Sequence, residues 1–247
     1  MEKIYQLRQE NEGKNLEILK KFYTDVWSNC LEYVENDKLL YDIFKDKNYS
    51  PRIKAVVLND LYSAGMKGIQ IYDFAEEIQE LKEDEIGKKQ YTGRNNANKE
   101  IRNFLISLES KYLHWHNEAN NLDSIPIYDG KARNELANYK IDGKILKSKD
   151  IKKYNEFKEK IDSFIKNYLG KTTTGNKKIP LEIKGPYEEV SVYRLLDKFL
   201  WLSNKFRSLE EKISGNQPNS HEKKFNTLYN NYKLFVKNPE NINIKSK

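Results

Sequence analysis

Apolar positions recur along this chain at the spacing of a helix and almost nowhere at that of a strand. In residues 2–46, Leu16, Ile18, Leu19, Phe22, Tyr23, Val26, Trp27, Cys30, Leu31 and Val34 form a broad apolar face, which predicts one or two amphipathic helices. Asn48-Tyr-Ser-Pro51 breaks that pattern, with Ser50 placed to cap and Pro51 to take the first helical position. The helix that follows carries Ile53, Val56, Val57, Leu61 and Met66, and Gly65 and Gly68 punctuate its end. A further helix is expected over 69–83, on Ile71, Phe74, Ala75, Ile78 and Leu81. After a polar loop with Gly93 and several Asn, residues 97–115 give the cleanest period in the chain. Ala97, Ile101, Phe104, Leu105, Leu108, Tyr112 and Trp115 fall on one stripe.

Lys111 lies about 60° from the centre of that stripe at 100° per residue, so it borders the apolar face instead of pointing fully to water. Residues 117–123 are polar, and Pro126 bars a continuous helix, so Asp129 faces Lys111 across a helix–loop–helix turn. Asp129 stands where an N-cap belongs, before a helix expected over 130–139. Further helices are expected over 150–169, over 187–207 as a strong core helix (Val192, Leu195, Leu196, Phe199, Leu200, Trp201) and over 220–236. Residues 170–186 read as a Thr/Gly/Lys-rich loop with a short extended piece at Ile179-Pro-Leu-Glu-Ile. The polar tail 238–247 is expected to fray. The fold class is all-α.

Composition narrows the function classes. The 247 residues are 38% hydrophobic and 12% aromatic, enough for a packed core, with 17 tyrosines suited to a core that reaches a polar cleft. No apolar run approaches a membrane span, the first residues lack a secretory hydrophobic stretch, and the single Cys30 excludes an internal disulfide and a four-cysteine cluster. A cytoplasmic protein without cofactor is expected. The net charge is +7, and residues 131–185 hold 15 Lys/Arg against 7 Asp/Glu, a net of +8. A basic segment on a near-neutral body is the footprint of a polyanion binder, or else a solvated lysine-rich face.

Several local patterns are weaker. His114 and His116 diverge by about 200° on a helix, so they do not share a metal ion, and none is expected. Lys171-Thr-Thr-Thr-Gly-Asn-Lys177-Lys178 is either a plain surface loop or one that tracks phosphates. Trp115 and Trp201 are core residues, or one of them stacks on an extruded base. Read on spacing alone, Lys111 is a helix-edge lysine with a snorkelling stem and Asp129 only an N-cap worth about 1 kcal/mol.

Read together, the segments resemble the helix-hairpin-helix DNA glycosylases. Leu105-Ile-Ser-Leu-Glu-Ser-Lys111 aligns without gaps to that family's Leu-Pro-Gly-Val-Gly-x-Lys hairpin, and Pro126-Ile-Tyr-Asp129 takes the place of its aspartate element. Val57-Leu-Asn-Asp-Leu-Tyr-Ser-Ala-Gly65 looks like the segment that ends a helix at the base pocket. Tyr193-Arg-Leu-Leu-Asp-Lys-Phe-Leu-Trp201 looks like the closing helix of a bacterial subgroup related to 8-oxoguanine DNA glycosylases. The resemblance spans residues 50–205. Ser107 and Glu109 stand where the hairpin glycines stand, and without a cysteine cluster the iron–sulfur branch is excluded.

The resemblance implies a two-lobed helical fold with the active-site cleft between lobes. N-terminal helices (1–49) pack on the C-terminal lobe, the central lobe spans 50–130, the basic C-terminal lobe 131–237, and 238–247 is a tail. It implies Lys111 as nucleophile and Asp129 as its activator. Tyr62, Ser63, Met66, His114 and Tyr128 are base-pocket candidates, and Ser107, Ser110, Lys131, Arg133, Lys171, Lys177 and Lys178 are DNA-contact candidates. The implied activity is excision of a modified base from duplex DNA by a monomer, with strand cleavage as a second step, in repair or in defence against modified phage DNA. Two other readings stay open: a non-catalytic nucleic-acid-binding module, and a helical protein-interaction factor in phage–host conflict.

Overall fold

The computed structural model describes residues 5–62, 74–94, 100–145, 147, 151–181, 189–213 and 226–237. These residues are mostly helical, with short antiparallel strand pairs. Helix α1 (Glu12–Phe22) runs into a π-helical turn, Tyr23–Trp27, which buries Tyr23, Val26 and Trp27 together. Helix α2 is Leu31–Lys45 and α3 is Pro51–Tyr62, with the Ile53 backbone N–H donating to the Ser50 hydroxyl as the Ser-Pro start implies.

Three departures from the expected pattern follow. Residues 74–77 are helical, but 3₁₀ turns at Ile78–Glu80 and Glu83–Glu85 replace the rest of the helix expected to run to 83. The helix expected over 97–115 is split. Its first part is strand β2 (Glu100–Phe104), paired with β1 (Gln90–Arg94) in the register Gln90↔Phe104, and only Ile106–Ala119 (α4) is helical. Buried Tyr91 explains the pairing. Its ring packs 5.4 Å from that of Phe74, and its hydroxyl donates to Glu109 Oε1 at 2.9 Å. The family-like hairpin is absent too, because Leu105–Lys111 is a helix start and first turns. Glu109, at one of the glycine positions, is fully buried and accepts from the Gly87 N–H at 2.7 Å.

Helix α5 (Gly130–Leu136) is shorter than expected and is followed by a tight hairpin, β3 (Lys140–Ile141) and β4 (Lys144–Ile145). Its turn residues Asp142 and Gly143 both have positive φ, 50° and 78°, as a primed two-residue turn requires. Helix α6 is Tyr154–Leu169. The extended piece pairs as β5 (Lys178–Pro180) with β6 (Glu189–Ser191), so the core helix begins only at Val192 as α7 (Val192–Ile213). Helix α8 is Asn226–Lys237.

Buried apolar side chains form two clusters. One joins α1, the π turn, α6, α7 and α8 around Phe22, Trp27, Phe164 and Phe199. The other joins the end of α2 to α3 and α4 around Phe44, Leu58, Phe74 and Trp115. Helix α2 crosses between them, since Tyr33 packs on the first cluster and Leu40 and Phe44 lie in the second. A two-pronged pair fixes α5 on α7: Arg207 Nη2 and Nε donate to the buried Glu135 at 2.9 and 3.2 Å. No helix among the described residues is long and apolar enough to cross a membrane.

Candidate active site

Helix α4 brings Lys111 to the wall of a cavity of about 630 Å³ lined by residues of both clusters, well within the size of small-molecule sites. Lys111 is 7% exposed. Its ammonium donates to Ser107 Oγ at 2.7 Å, one turn earlier, and stands 4.9 Å from the centre of the Tyr62 ring.

Asp129 arrives from the other side of the polar loop. The extended approach Ile125–Tyr128 is pinned by the Tyr128 N–H donating to Ser110 Oγ (3.0 Å) and by Tyr154 Oη donating to the Pro126 carbonyl (3.2 Å). The carboxylate then divides its oxygens. Oδ1 caps α5, accepting the N–H groups of Lys131 at 2.8 Å and Ala132 at 3.4 Å. Oδ2 faces Lys111 Nζ at 3.5 Å. Cap and ion pair are therefore compatible, and the helix start holds the carboxylate at the lysine.

Helix α7 supplies a charged face that sequence reasoning did not single out. Arg194, Asp197, Lys198, Trp201 and Lys205 share one side of it, and all but Arg194 line the cavity. Asp37 on α2 meets Arg194 Nη2 at 2.5 Å and Lys198 Nζ at 3.9 Å, and accepts from Trp27 Nε1 at 3.3 Å. Asp197 lies 3.5 Å from Arg194 and 3.8 Å from Lys198. Burial opposes ionisation of Asp37, yet Arg194 and Lys198 hold its carboxyl below the usual range. Burial and then the Arg194 charge push the Lys198 amine down to about 8, and burial with the neighbouring Lys131 pushes Lys205 down to about 7. Cations stand over aromatic rings of the wall: Lys198 on Trp27 (4.2 Å), Lys111 on Tyr62, and Lys131 and Lys205 on Trp201 (5.1 and 4.9 Å).

These shifts set the pH dependence of stability. Between about pH 7 and 10 the unfolded chain binds protons at Lys198 and Lys205 that the folded chain has released, so stability rises with pH there. Above about pH 10 the sign reverses. Burial raises the hydroxyls of Tyr112, to about 12, and of Tyr62 and Tyr91, so the unfolded chain loses those protons first. Urea midpoints are expected to climb from pH 7 to 9.5 and to fall above pH 10.5. Midpoints that drop between 7 and 9.5 would contradict the burial of these lysines.

The remaining expected site residues divide sharply. Tyr62 and Lys131 line the cavity with Lys111 and Asp129. Ser63 and Met66 lie outside the described residues. His114 and Tyr128 sit behind the wall, not in it. His114 Nδ1 bonds the Ile125 carbonyl at 2.9 Å and burial pushes its imidazole down to about 4, while Tyr128 Oη donates to the Ile151 carbonyl at 3.1 Å. Ser107 and Ser110 are occupied inside the fold by Lys111 and by the Tyr128 N–H. Arg133 is held by Tyr128 Oη (2.6 Å) and the Ile151 carbonyl. Lys178 pairs with Glu118, whereas Lys171 and Lys177 are exposed. Trp115 is 1% exposed, with the Arg194 guanidinium 4.7 Å from its ring, so it is not open to a stacked base. Among the described residues no cluster of His, Cys, Asp or Glu is placed to hold a metal ion.

The chain matches no protein-family model, no curated protein and no solved structure.

Proposed function

We propose that this protein is a DNA glycosylase that excises a modified base through Lys111, with Asp129 as its activator, acting as a cytoplasmic monomer in base-excision repair or against modified phage DNA. The observation that carries the reading is the 3.5 Å approach of a buried lysine to an N-cap carboxylate inside a cavity with aromatic walls. An amine nucleophile needs a base to take its proton and a negative charge to steady the sugar cation, and one carboxylate at this distance serves both. A flipped base needs a pocket with aromatic and polar walls. The net charge of +8 in residues 131–185 suits a phosphate backbone.

In the proposed reaction, Asp129 takes the proton from Lys111 Nζ, which attacks C1′ of the target nucleotide. The glycosidic bond breaks, and the base departs with the bonding electrons and a proton. A second proton passes from the nitrogen to O4′ as the C1′–O4′ bond breaks, which opens the sugar ring and leaves a protonated imine between Lys111 and C1′.

Borohydride reduces such an imine to a stable secondary amine, so trapping on duplexes carrying 8-oxoguanine, modified cytosines or an abasic site tests the reading. A covalent adduct is expected, and the duplex that traps names the substrate. Salt-dependent binding with neither an adduct nor released base would favour the non-catalytic binding module. That second reading draws on the unbroken helix and buried Glu109 where the family-like hairpin would present backbone N–H groups.

A further inference from the structure

We infer that Lys198 is a second catalytic residue of the cavity, the acid that donates to an acceptor atom of the extruded base and gives it a proton as the glycosidic bond breaks. The destination of that proton rests on the glycosylase reading; the surroundings of Lys198 do not.

Lys198 lies on α7, buried in the wall of the cavity that Lys111 also lines. Its ammonium stands 4.2 Å from the centre of the Trp27 ring, 3.9 Å from Asp37 Oδ1 and 3.8 Å from Asp197 Oδ2. Both carboxylates are close enough to compensate its charge and too far to accept a hydrogen bond. Among the described residues no side chain or carbonyl accepts from Lys198. An ammonium carries three donors, and burying them unused costs free energy. Lys111 differs, since it donates to Ser107 Oγ at 2.7 Å. The donors of Lys198 are thus left for a molecule in the cavity.

Charge balance names the chemistry of that molecule. Arg194 and Lys198 face Asp37 and Asp197, two cations against two carboxylates among the described residues. A balanced group favours a neutral acceptor over a further anion. A carbonyl oxygen or ring nitrogen of a heterocyclic base fits, and a cavity of about 630 Å³ holds such a ring.

The proposed reaction has a use for such a donor. Asp129 takes its proton from Lys111 at the sugar, and its Oδ1 stays committed to the α5 cap. The base nitrogen bonded to C1′ has no free electron pair until that bond breaks, so the base takes its proton on another ring nitrogen or a carbonyl oxygen. Lys198, on a different helix from Lys111, serves that part of the base. Its N–H bond breaks, the electrons stay on nitrogen as a lone pair, and the proton bonds to the base, which leaves with the glycosidic electrons. Water then reprotonates the amine. Burial and then the Arg194 charge push Lys198 down to about 8, against the pull of Asp37, Asp197 and Asp129, which suits a donor working near neutral pH.

The test uses the full chain on duplexes carrying 8-oxoguanine or a modified cytosine, and on a duplex with a preformed abasic site. An abasic site has no base to expel, so imine formation there needs Lys111 and no acid for a base. Lys198→Gln is expected to lower single-turnover base release about a hundredfold and to leave borohydride trapping at the abasic site within about twofold of wild type. Lys198→Arg keeps the charge and the donors but holds its proton too tightly to give it up, so it should not restore release. Wild-type release should fall as pH rises past about 8, where Lys198 loses its proton, and the residual rate of Lys198→Gln should lack that fall. Wild-type release rates in Lys198→Gln, or rescue by Lys198→Arg, would overturn the acid. Abasic trapping lost together with base release in Lys198→Gln would overturn it too, since the defect would then precede any departing base. A wild type that neither traps nor releases base on any duplex would sink the glycosylase reading and the acid with it, a failure visible without any variant.

Discussion

Lys111→Gln is expected to abolish borohydride trapping and to lower base release by at least about a thousandfold while the fold persists. Glutamine nearly matches the stem of lysine and keeps an N–H donor for Ser107 Oγ and Asp129 Oδ2, which lie 2.7 and 3.5 Å from the Lys111 amine. It has no lone pair that can attack a sugar carbon, so covalent chemistry stops at the first step. Asp129 keeps its cap bonds to Lys131 and Ala132, so α5 and its seat on α7 are undisturbed. The stability cost is of the order of one charged hydrogen bond, about 1–3 kcal/mol. Asp129→Asn is the matched control, since asparagine caps a helix as well as aspartate does but cannot take a proton. Trapping and thermal melting of the three proteins decide the matter. An adduct that survives in Lys111→Gln would move the nucleophile elsewhere, with Lys198, whose amine is pushed down to about 8, the next to test.

The second large effect concerns stability. Asp37→Ala is expected to cost about 3–5 kcal/mol, because it leaves the buried Arg194 and Lys198 cations to share Asp197, whose own ionisation burial opposes. For a chain of this size that is a fall in melting temperature of roughly 10 °C, against a total stability of about 5–15 kcal/mol. Asp37→Asn keeps the shape and an acceptor for Trp27 Nε1 while losing the charge, so it should fall between wild type and alanine. A melting temperature within 2–3 °C of wild type for the alanine variant (about 1 kcal/mol) would mean that Arg194 and Lys198 find water or other acceptors, and that Asp37 does not hold the cavity floor.

The two predictions draw on different parts of what could be read along the chain. Asp129 was legible as an N-cap because its partners are its own neighbours, the N–H groups two and three residues on. Lys111 was legible at the edge of an apolar face because that face is a property of one helix. The turn at Asp142-Gly143 was legible in principle, as a dipeptide that tolerates positive φ at both positions, yet no expectation covered residues 140–149. The split of the helix expected over 97–115 was not legible. The 3.6-residue stripe continues through the strand by coincidence, and the pairing of Gln90–Arg94 with Glu100–Phe104 is a tertiary choice anchored by Tyr91 on Phe74 and Glu109.

The amino-acid sequence by itself determined the helical character of this protein, the basic middle of the chain, and the lysine and aspartate that a short turn must bring face to face. These follow from periodicity, composition and local hydrogen bonding, which act over a few residues. Only the tertiary structure decided what surrounds that pair. Trp201 read as a core residue, and Arg194, Asp197, Lys198 and Lys205 carry no mark of a site along the chain until Asp37 and Trp27, far upstream, close against the helix. The worth of a buried charge depends on its partner and on the water excluded around it, and neither is written near it in the chain.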